Sequence, residues 1–507
     1  MTARLPRLRP AAWAFLLLAP RPALAHGFGQ RYDLPVPLWL WVTAAAAAVA
    51  LSFVVMSVFV ARDPGARGYR RLDLSRGPIG RALTGDGTRA LVRLISVGLL
   101  ALVVAAGLLG DQSPTRNLAP TAVWVAWWVG FAYLSALVGN MWAVVDPWSA
   151  LFRWGEALWG RRAVLRYPPG LGAWPAVLLF WAFAWIELVY ASRAVPARLG
   201  LLIVGYSLLT WTGMAIFGRA PWRRHADPFA AAFGILARFA PTETRVTDGT
   251  VCQRCGLACA GPDGCIACEA CFEGAWPPRR EWNLRPFAAG LLDTRAVSPS
   301  TVVFVLLLLS TVTFDGFTAT PAWAHLEGAL YKALTPLGDL RLTVIGTLGL
   351  LAFPLGFVLV YLAFARWMAW AADDQLSLGT VARLFVLSLV PIAIAYHLAH
   401  YFTYLLIQGQ LLIRLASDPF GFGWNLFGTA RYRPDIGLVG ARAVWYTAVV
   451  AIVLGHVLAV YVAHVVALRE YRDRRRALLS QLPMLVLMVG YTVVSLWIIA
   501  QPIVESR

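Results

Sequence analysis

The chain has 507 residues, of which 59% are hydrophobic and only 14% are charged, and its mean hydropathy is +0.65. Soluble globular proteins carry about a quarter charged residues, so this composition excludes that class and indicates a polytopic membrane protein. The formal net charge is +18, but the basic residues follow the connections between apolar stretches, which argues against a nucleic-acid-binding surface.

Residues 1–25 have the pattern of a secretory signal peptide. Arginines precede a short apolar run, and residues 23–25 (ALA) offer a small-residue cleavage site before His26. The alternative is an uncleaved anchor helix, for which the run is short because Pro20 and Pro22 interrupt it.

Ten further stretches are apolar over about 20 residues, the length that a membrane-spanning helix needs. They predict an all-α fold with five helices in a first half (26–217) and five in a second half (298–507), joined by a polar loop (218–297). The stretches lie near 35–61, 90–109, 121–145, 173–193, 199–217, 298–318, 342–365, 381–413, 438–467 and 482–500.

The distribution of arginine predicts the orientation of these helices. Most basic residues fall on the side that contains the 218–297 loop, so the positive-inside rule places this loop in the cytoplasm. The mature N-terminus and the C-terminus are then both expected in the periplasm of a bacterial inner membrane.

An odd number of helices in each half gives the two halves opposite orientations, as in transporters with a 5+5 inverted repeat. Asp-Pro-aromatic segments after the third helix of each half, at 146–148 and 418–420, favour this interpretation. The alternative is that Asp-Pro-aromatic simply ends membrane helices, because Pro stops a helix and Asp caps the next one.

All six cysteines of the chain fall within the polar loop, where a reducing cytoplasm argues against disulfides and for a metal or iron–sulfur site. Two CxxC pairs twelve residues apart resemble a zinc ribbon, and this zinc would fold the loop. The last three cysteines instead have the spacing of an iron–sulfur run, and a binuclear site or unmetallated thiols are further alternatives. The residues are Cys252, Cys255, Cys259, Cys265, Cys268 and Cys271.

Ionisable residues inside the predicted helices form a second group of candidates, because such groups are costly in lipid and usually serve function. His397 and His400 lie one turn apart in the eighth helix, and His456 lies at a similar depth in the ninth. A haem or a metal ion could bind between His397 or His400 and His456. Glu187 and Asp315 could join the histidines in metal binding or proton transfer. The alternative is that these side chains only hydrogen-bond neighbouring helices.

Several segments together resemble a family of bacterial polytopic membrane proteins labelled fenitrothion hydrolase. The segments are AHGFGQRYDLPVPLWLW (25–41), TFDGF (313–317), AYHLAHYFTYLLIQGQ (395–410) and SDPFGFGWNLFGTA (417–430). The resemblance spans most of the mature chain and implies hydrolysis of an organophosphorus triester at a P–O–aryl bond. His397, His400 and His456, with Glu187 or Asp315, have the ligand types for a metal-activated water in that reaction.

Three functions are therefore expected as alternatives: a triester hydrolase acting on a small hydrophobic substrate that enters from the lipid, a redox protein that binds haem or metal, and a transporter with an inverted repeat. Nucleotide hydrolysis and serine-hydrolase chemistry have no motif to support them, since the sequence contains neither GxxxxGK[ST] nor GxSxG.

Overall fold

The computed structural model describes residues 32–60, 69–160, 163–255, 257, 259–261, 264–295 and 297–505. The predicted signal peptide (1–25) lies outside these residues. Within them, most of the chain is helical, and ten apolar helices account for the bundle. They are α1 (Leu38–Phe59), α2 (Asp86–Leu109), α3 (Leu118–Leu137), α4 (Trp174–Leu188), α5 (Pro196–Phe217), α6 (Pro299–Thr318), α7 (Arg341–Ala371), α8 (Leu378–Gln408), α9 (Ala441–Glu470) and α10 (Arg474–Ile503).

Nine of these helices in the described residues are long and apolar enough to cross a membrane, which confirms a multi-pass architecture. The exception is α4, which has only 15 residues although the sequence predicted a stretch of about 20. The chain leaves the helix after Leu188 and turns, with the Arg193 amide donating to the carbonyl of Tyr190. The predicted count of ten spans is therefore supported for nine.

Proline and capping hydroxyls set where several of these helices begin. The Ser298 side chain accepts a hydrogen bond from the Thr301 amide, and Pro299 follows as the first residue of α6. Ser377 caps the start of α8 in the same way. These caps satisfy amide groups that the first helical turn leaves without partners.

Helix α6 lies at the centre of the bundle and α1 lies at its edge. Of the residues in the most apolar 18-residue segment of each helix, 72% are buried in α6 and 11% are buried in α1. Helix α6 packs against α4, α7, α8 and α10, while α1 packs against α9 and α10. The first helix of the chain therefore packs against the last two, and the two sequence halves form one packed bundle.

The segment after α3 is broken into short pieces that remain inside the bundle. Helix α3 itself contains a π-helical stretch, Thr121–Gly130, and short helices Trp142–Val145 and Pro147–Trp159 follow it. A further short helix, Pro228–Leu236, lies between α4, α3 and α8 with Phe229 and Phe233 buried. Irregular backbone at this depth is tolerated in membrane proteins where other protein segments enclose it.

The mostly helical structure is consistent with the predicted all-α polytopic fold, and the polar loop adds a small sheet that the sequence did not predict. The loop contains a five-stranded antiparallel sheet with the order β2-β6-β3-β5-β4 and two short helices, Gly249–Arg254 and Glu269–Gly274. We call this unit the Cys module. Its strands are β2 (Leu72–Asp73), β3 (Thr242–Val246), β4 (Ala260–Gly261), β5 (Gly264–Ile266) and β6 (Arg280–Leu284).

Strand β2 comes from the connection between α1 and α2, so the Cys module extends beyond the predicted 218–297 boundary. The module lies at the end of the bundle where α1 ends and α6 begins, which we call the module side. At the other end, β1 (Tyr32–Asp33) pairs in parallel with β7 (Val504–Glu505). The two ends of the described chain therefore lie together, opposite the module.

The Asp-Pro-aromatic segments have different local structures. Asp146 caps Pro147–Trp159 and Asp227 caps Pro228–Leu236, each through two backbone amides. Asp418 instead accepts hydrogen bonds from the Phe422 and Gly423 amides and closes a turn. The helix-capping interpretation holds for the segments that begin at Asp146 and Asp227, and the 5+5 inverted repeat stays a prediction.

The remaining short helices are Pro78–Thr84, Arg219–His225, Pro321–Ala333 and Leu411–Ser417.

Candidate metal centre and membrane acid–base site

The six cysteines come together in the Cys module and could bind a metal ion. Ligand sulfurs of Cys255, Cys259, Cys268 and Cys271 all lie within 4.8 Å of one another. A second group with the same property consists of Cys252, Cys265 and Cys271. Cys271 belongs to both groups, so all six sulfurs form one compact cluster.

Short elements bring these sulfurs together from both sides. Cys252 and Cys255 belong to the helix Gly249–Arg254 and its C-cap, and Cys268 caps the helix Glu269–Gly274, which contains Cys271. The Sγ atoms of Cys255 and Cys259 are 2.9 Å apart, and those of Cys259 and Cys271 are 3.3 Å apart. Four of the cysteines, Cys252, Cys265, Cys268 and Cys271, are buried.

The close packing of the thiols gives them different pKa values. Burial raises the pKa of Cys259 to about 11 and also raises that of Cys271. A hydrogen bond with Cys268 raises the pKa of Cys265, and the same bond lowers the pKa of Cys268 to about 5. Three of these groups therefore favour the protonated thiol in the absence of a metal ion, and a bound cation would supply the positive charge that lets several thiolates lie this close together.

Carboxylates next to the cysteines attach the Cys module to the bundle. Glu273 accepts hydrogen bonds from Arg219 at 2.7 Å and Arg153 at 3.2 Å, and also from Arg93. Glu269, which follows Cys268 directly, pairs with Arg223. These arginines belong to α2 and to the short helices of the bundle, so candidate metal ligands and docking contacts share one short segment.

In the bundle, Asp315 and His400 form the best-defined polar contact between two predicted site residues. The Nε2 atom of His400 lies 2.8 Å from Oδ2 of Asp315, and the Tyr401 hydroxyl donates to the same oxygen at 2.7 Å. Asp315 is near the end of α6 and His400 is in the last third of α8, so the cluster lies in the half of the bundle away from the module. A carboxylate that binds an imidazole fixes its tautomer and stabilises its protonated form.

Glu187 extends this group, which we call the Asp315 cluster. It sits one residue from the end of α4 and interacts electrostatically with Asp315 and with Tyr404. Two carboxylates, an imidazole and two phenols therefore converge where α4, α6 and α8 meet. Such a group can take up, hold and release protons within the membrane.

His397 makes no hydrogen bond to the Asp315 cluster, although its ring centroid lies 4.7 Å from that of Tyr401, and it faces a small cavity. Its side chain is buried, and neither ring nitrogen has a hydrogen-bond partner among the described residues. The cavity beside it has a volume of about 30 Å³ and is lined mainly by apolar side chains of α3, α6 and α8. This volume has room for one or two water molecules but not for a haem.

His456 is also separate. Its Nδ1 atom lies 2.8 Å from the carbonyl of Ile452 one turn earlier, and its ring is 5.9 Å from that of Tyr491. The Tyr491 hydroxyl lies 2.5 Å from Thr313 Oγ1 on α6. His456 therefore contacts α10 and not His397 or His400.

The structure thus brings together three of the five predicted membrane residues. Glu187, Asp315 and His400 converge, while His397 and His456 do not join them, and no three ligand atoms from these side chains meet the 4.8 Å spacing that the cysteines show. The physical reason is that His397 packs against the ring of Tyr401 and His456 packs against the ring of Tyr491 on α10, contacts that a count of residues along each helix does not reveal.

Tyrosine was missed by the sequence reasoning. Tyr396, Tyr401 and Tyr404 surround the histidines, and Tyr396 and Tyr404 are each four residues from His400. That spacing places them on the same helix face as His400, which is the signal that could have identified them.

Comparisons with family models, with curated proteins and with solved structures return no match for this chain. The site geometry is therefore the basis for the function proposed next.

Proposed function

We propose that this protein is a multi-pass protein of a bacterial inner membrane that uses the Asp315 cluster for acid–base catalysis on a small hydrophobic substrate. The observation that carries the proposal is the double hydrogen bond to Oδ2 of Asp315, from Tyr401 and from the ring of His400. The family resemblance suggests the reaction: hydrolysis of an organophosphorus triester.

The chemistry that this arrangement supports is general-base attack by water. The Asp315–His400 pair takes a proton from water, and the water oxygen forms a bond to phosphorus while the bond from phosphorus to the aryl oxygen breaks. The aryl oxide leaves, and the proton returns to it from the pair. Tyr401 holds the carboxylate in place through its hydroxyl. An apolar triester partitions into the bilayer, so it reaches the bundle from the lipid.

The test is hydrolysis of a nitroaryl dialkyl phosphate by the purified protein in liposomes, followed by absorbance of the released nitrophenolate. We expect Asp315→Asn and His400→Gln each to reduce the rate by about 100-fold or more, the usual size of a general-base contribution. His325→Gln is the matched control, because His325 is exposed on the short helix Pro321–Ala333. Wild-type rates in Asp315→Asn, or no hydrolysis by the wild-type protein, would rule this function out.

A second candidate is proton-linked transport, which a different observation favours. Aromatic and hydroxyl side chains continue from the Asp315 cluster toward His456: the ring of Tyr396 is 6.3 Å from His400 and 6.4 Å from Tyr491. Tyr491 is in turn next to His456. A pH-sensitive dye inside liposomes would report proton movement, which this candidate requires and the hydrolase does not. Tyr491→Phe would then slow the flux and leave ester hydrolysis unchanged.

For the Cys module, we propose zinc as the bound metal. Tetrahedral zinc with bonds of 2.3 Å holds its thiolates about 3.8 Å apart. The two closest pairs of sulfurs, at 2.9 and 3.3 Å, are shorter than this spacing, and the sulfurs of each group all lie within 4.8 Å, so a small outward shift of these pairs would accommodate one zinc ion. An iron–sulfur cluster places inorganic sulfide between its irons and so needs its cysteines farther apart. Two zinc ions that share Cys271 would use all six sulfurs.

Metal analysis and an absorption spectrum of the detergent-purified protein test this proposal. We expect zinc without visible absorbance, and loss of the bound zinc in Cys271→Ser because that residue belongs to both groups. Cys252→Ser removes a ligand of one group only and is expected to retain zinc in the other. Iron with a visible spectrum would contradict the zinc assignment and favour the redox alternative.

A further inference from the structure

A large cavity lies between the Cys module and the bundle on the module side. Its volume is about 1150 Å³, and its walls include Cys268 and Phe272 of the module and Phe304 near the start of α6. Sites for small organic molecules typically have volumes of about 300–1000 Å³. The cavity is therefore large enough for a ligand of that kind, and we call it the basic cavity for the reason given next.

Arginine dominates the charged lining. Nine arginines and four carboxylates line the basic cavity, so its walls carry an excess of positive charge. The carboxylates are already shared: Glu243 pairs with both Arg71, at 2.7 Å, and Arg285, at 2.6 Å. Carboxylates outside the lining also pair with its arginines: Asp146 with Arg223 at 2.8 Å, and Glu273 with Arg219 at 2.7 Å. The uncompensated positive charge is therefore that of Arg224 and Arg238.

Arg224 shows this excess most directly. It lies near the end of the short helix Arg219–His225 and lines the cavity, and it has no ion-pair partner among the described residues. Arg238 lies close to it on the same wall. Burial lowers the pKa of Arg238, and the charges of Arg224 and Arg285 lower it further against the opposing effect of Asp293. Cations that repel one another in a cavity are stabilised by a bound anion.

Two further arginines of the lining add buried positive charge. The Nε atoms of Arg89 and Arg219 are buried and lack a hydrogen-bond acceptor in the described structure, and both residues line the cavity. Because these Nε atoms are enclosed by protein, a ligand in the cavity would interact with the positive charge of the two guanidinium groups and not with these N–H groups. Ser298 and Thr301 add hydroxyl groups to the same lining.

We propose that the basic cavity binds a phosphate group, carried by a soluble phosphate compound or by a phospholipid headgroup. Several guanidinium groups can together engage the three or four oxygens of a phosphate, whereas a carboxylate offers only two. Basic pockets between membrane helices at the membrane surface are also suited to anionic lipid headgroups. This site is separate from the Asp315 cluster, which lies in the other half of the bundle.

Two binding measurements on the full-length, metal-loaded protein test the proposal and distinguish the sources. In the first, inorganic pyrophosphate is titrated by calorimetry into protein held in phosphatidylcholine nanodiscs. In the second, phosphatidylglycerol is added to the membrane, and the lipid retained by the purified protein is counted by mass spectrometry. We expect saturable binding in at least one measurement, and a decrease in affinity as salt is added.

Arg224→Gln and Arg238→Gln are the informative variants. Each removes a charge-assisted hydrogen-bond donor, so we expect the affinity to fall about tenfold or more. Arg224 has no ion pair to lose, so its replacement leaves the fold intact, and a thermal melt checks this. Arg383→Gln is the matched control, because Arg383 is exposed on α8 and lies outside the cavity lining. Absence of binding in both measurements, or equal binding in both cavity variants and the wild type, would overturn the proposal.

Discussion

Glu273 illustrates how one residue links the chemistry of the Cys module to the bundle. It follows Cys271 by two positions, its side chain is only 11% exposed, and it faces Arg93, Arg153 and Arg219 together. Burial alone would raise the pKa of this carboxyl, but the arginines, Arg219 foremost, lower it to about 2. The carboxylate therefore stays ionised at neutral and mildly acidic pH.

Replacing Glu273 by Gln is expected to loosen the module at neutral pH. The change leaves three guanidinium groups without their shared carboxylate, a loss of about 3 kcal/mol or more for a buried pair. Because the folded pKa is lowered from 4.5 to about 2, its contribution is fully present above about pH 4.5 and is lost as the pH falls toward 2. Thermal unfolding in detergent between pH 3 and 7 measures both effects.

The expected result is a lower melting temperature at pH 7 and a weaker pH dependence in Glu273→Gln than in the wild type. Asp374→Asn serves as control, because Asp374 pairs with Arg366 at an exposed position where ion pairs contribute little. Equal melting curves for Glu273→Gln and wild type across this pH range would show that the arginines do not hold the module through this residue.

Candidate site residues could be predicted from the sequence where side-chain chemistry alone identifies them. Six cysteines in one polar loop predict a metal site whatever fold the loop adopts. The structure confirms that their sulfurs lie close together. His400 and Asp315 were predicted as single residues because charges in apolar helices are rare. Their contact, and the separation of His397 and His456 from it, depends on how α6, α8 and α9 rotate against one another, which periodicity does not specify.

At the scale of helices, the contact between α6 and α8 is set by one glycine. A Cβ atom on Gly316 would lie 2.5 Å from the hydroxyl oxygen of Tyr396 and 3.0 Å from Ile498 Cγ2. Gly316 follows Asp315 directly, so the close approach that admits Tyr396 also positions the carboxylate against His400. Small residues at such positions let membrane helices approach closely.

Gly316→Ala is therefore expected to destabilise the protein by about 1–3 kcal/mol through overpacking. Tyr396→Phe should rescue much of this loss, because it removes the clashing oxygen, which has no hydrogen-bond partner in the described structure. Melting temperatures of the two single variants and the double variant measure the coupling.

Gly356→Ala is the control for the helix effect of alanine, since a Cβ on Gly356 in α7 meets nothing within 4 Å. We expect that variant to be as stable as the wild type or slightly more stable. A Gly316→Ala protein that melts like Gly356→Ala would mean that α6 and α8 are not packed as described.

For the molecule as a whole, the arginine distribution predicts a cytoplasmic Cys module, and the structure supplies positions that test this. Asp339 is exposed on the connection before α7, opposite the module, and Arg383 is exposed near the start of α8, on the module side. In intact cells, a membrane-impermeant maleimide should label Asp339→Cys, and label Arg383→Cys only after permeabilisation. The parent protein measures background from its own cysteines. The reverse pattern would show that the positive-inside interpretation is wrong.

The sequence by itself determined that the chain is a multi-pass helical membrane protein with six clustered cysteines in its polar loop that could bind a metal ion. Both follow from local properties: apolar runs must be helical in lipid, and clustered thiols bind metals in a reducing compartment. Tertiary structure alone decided that the loop folds as a sheet with a strand from the α1–α2 connection, because strand pairing joins residues far apart in the chain.

The tertiary structure also decided which buried groups meet. Asp315 and His400 are 85 residues apart in sequence and Glu187 lies on α4, so only the packing of three helices brings them together. The arginines of the basic cavity likewise come from α2, from short broken helices and from the Cys module. Burial sets the desolvation cost of each of these charged groups and the strength of their interactions. How deeply each group is buried depends on the assembled bundle and not on any one segment.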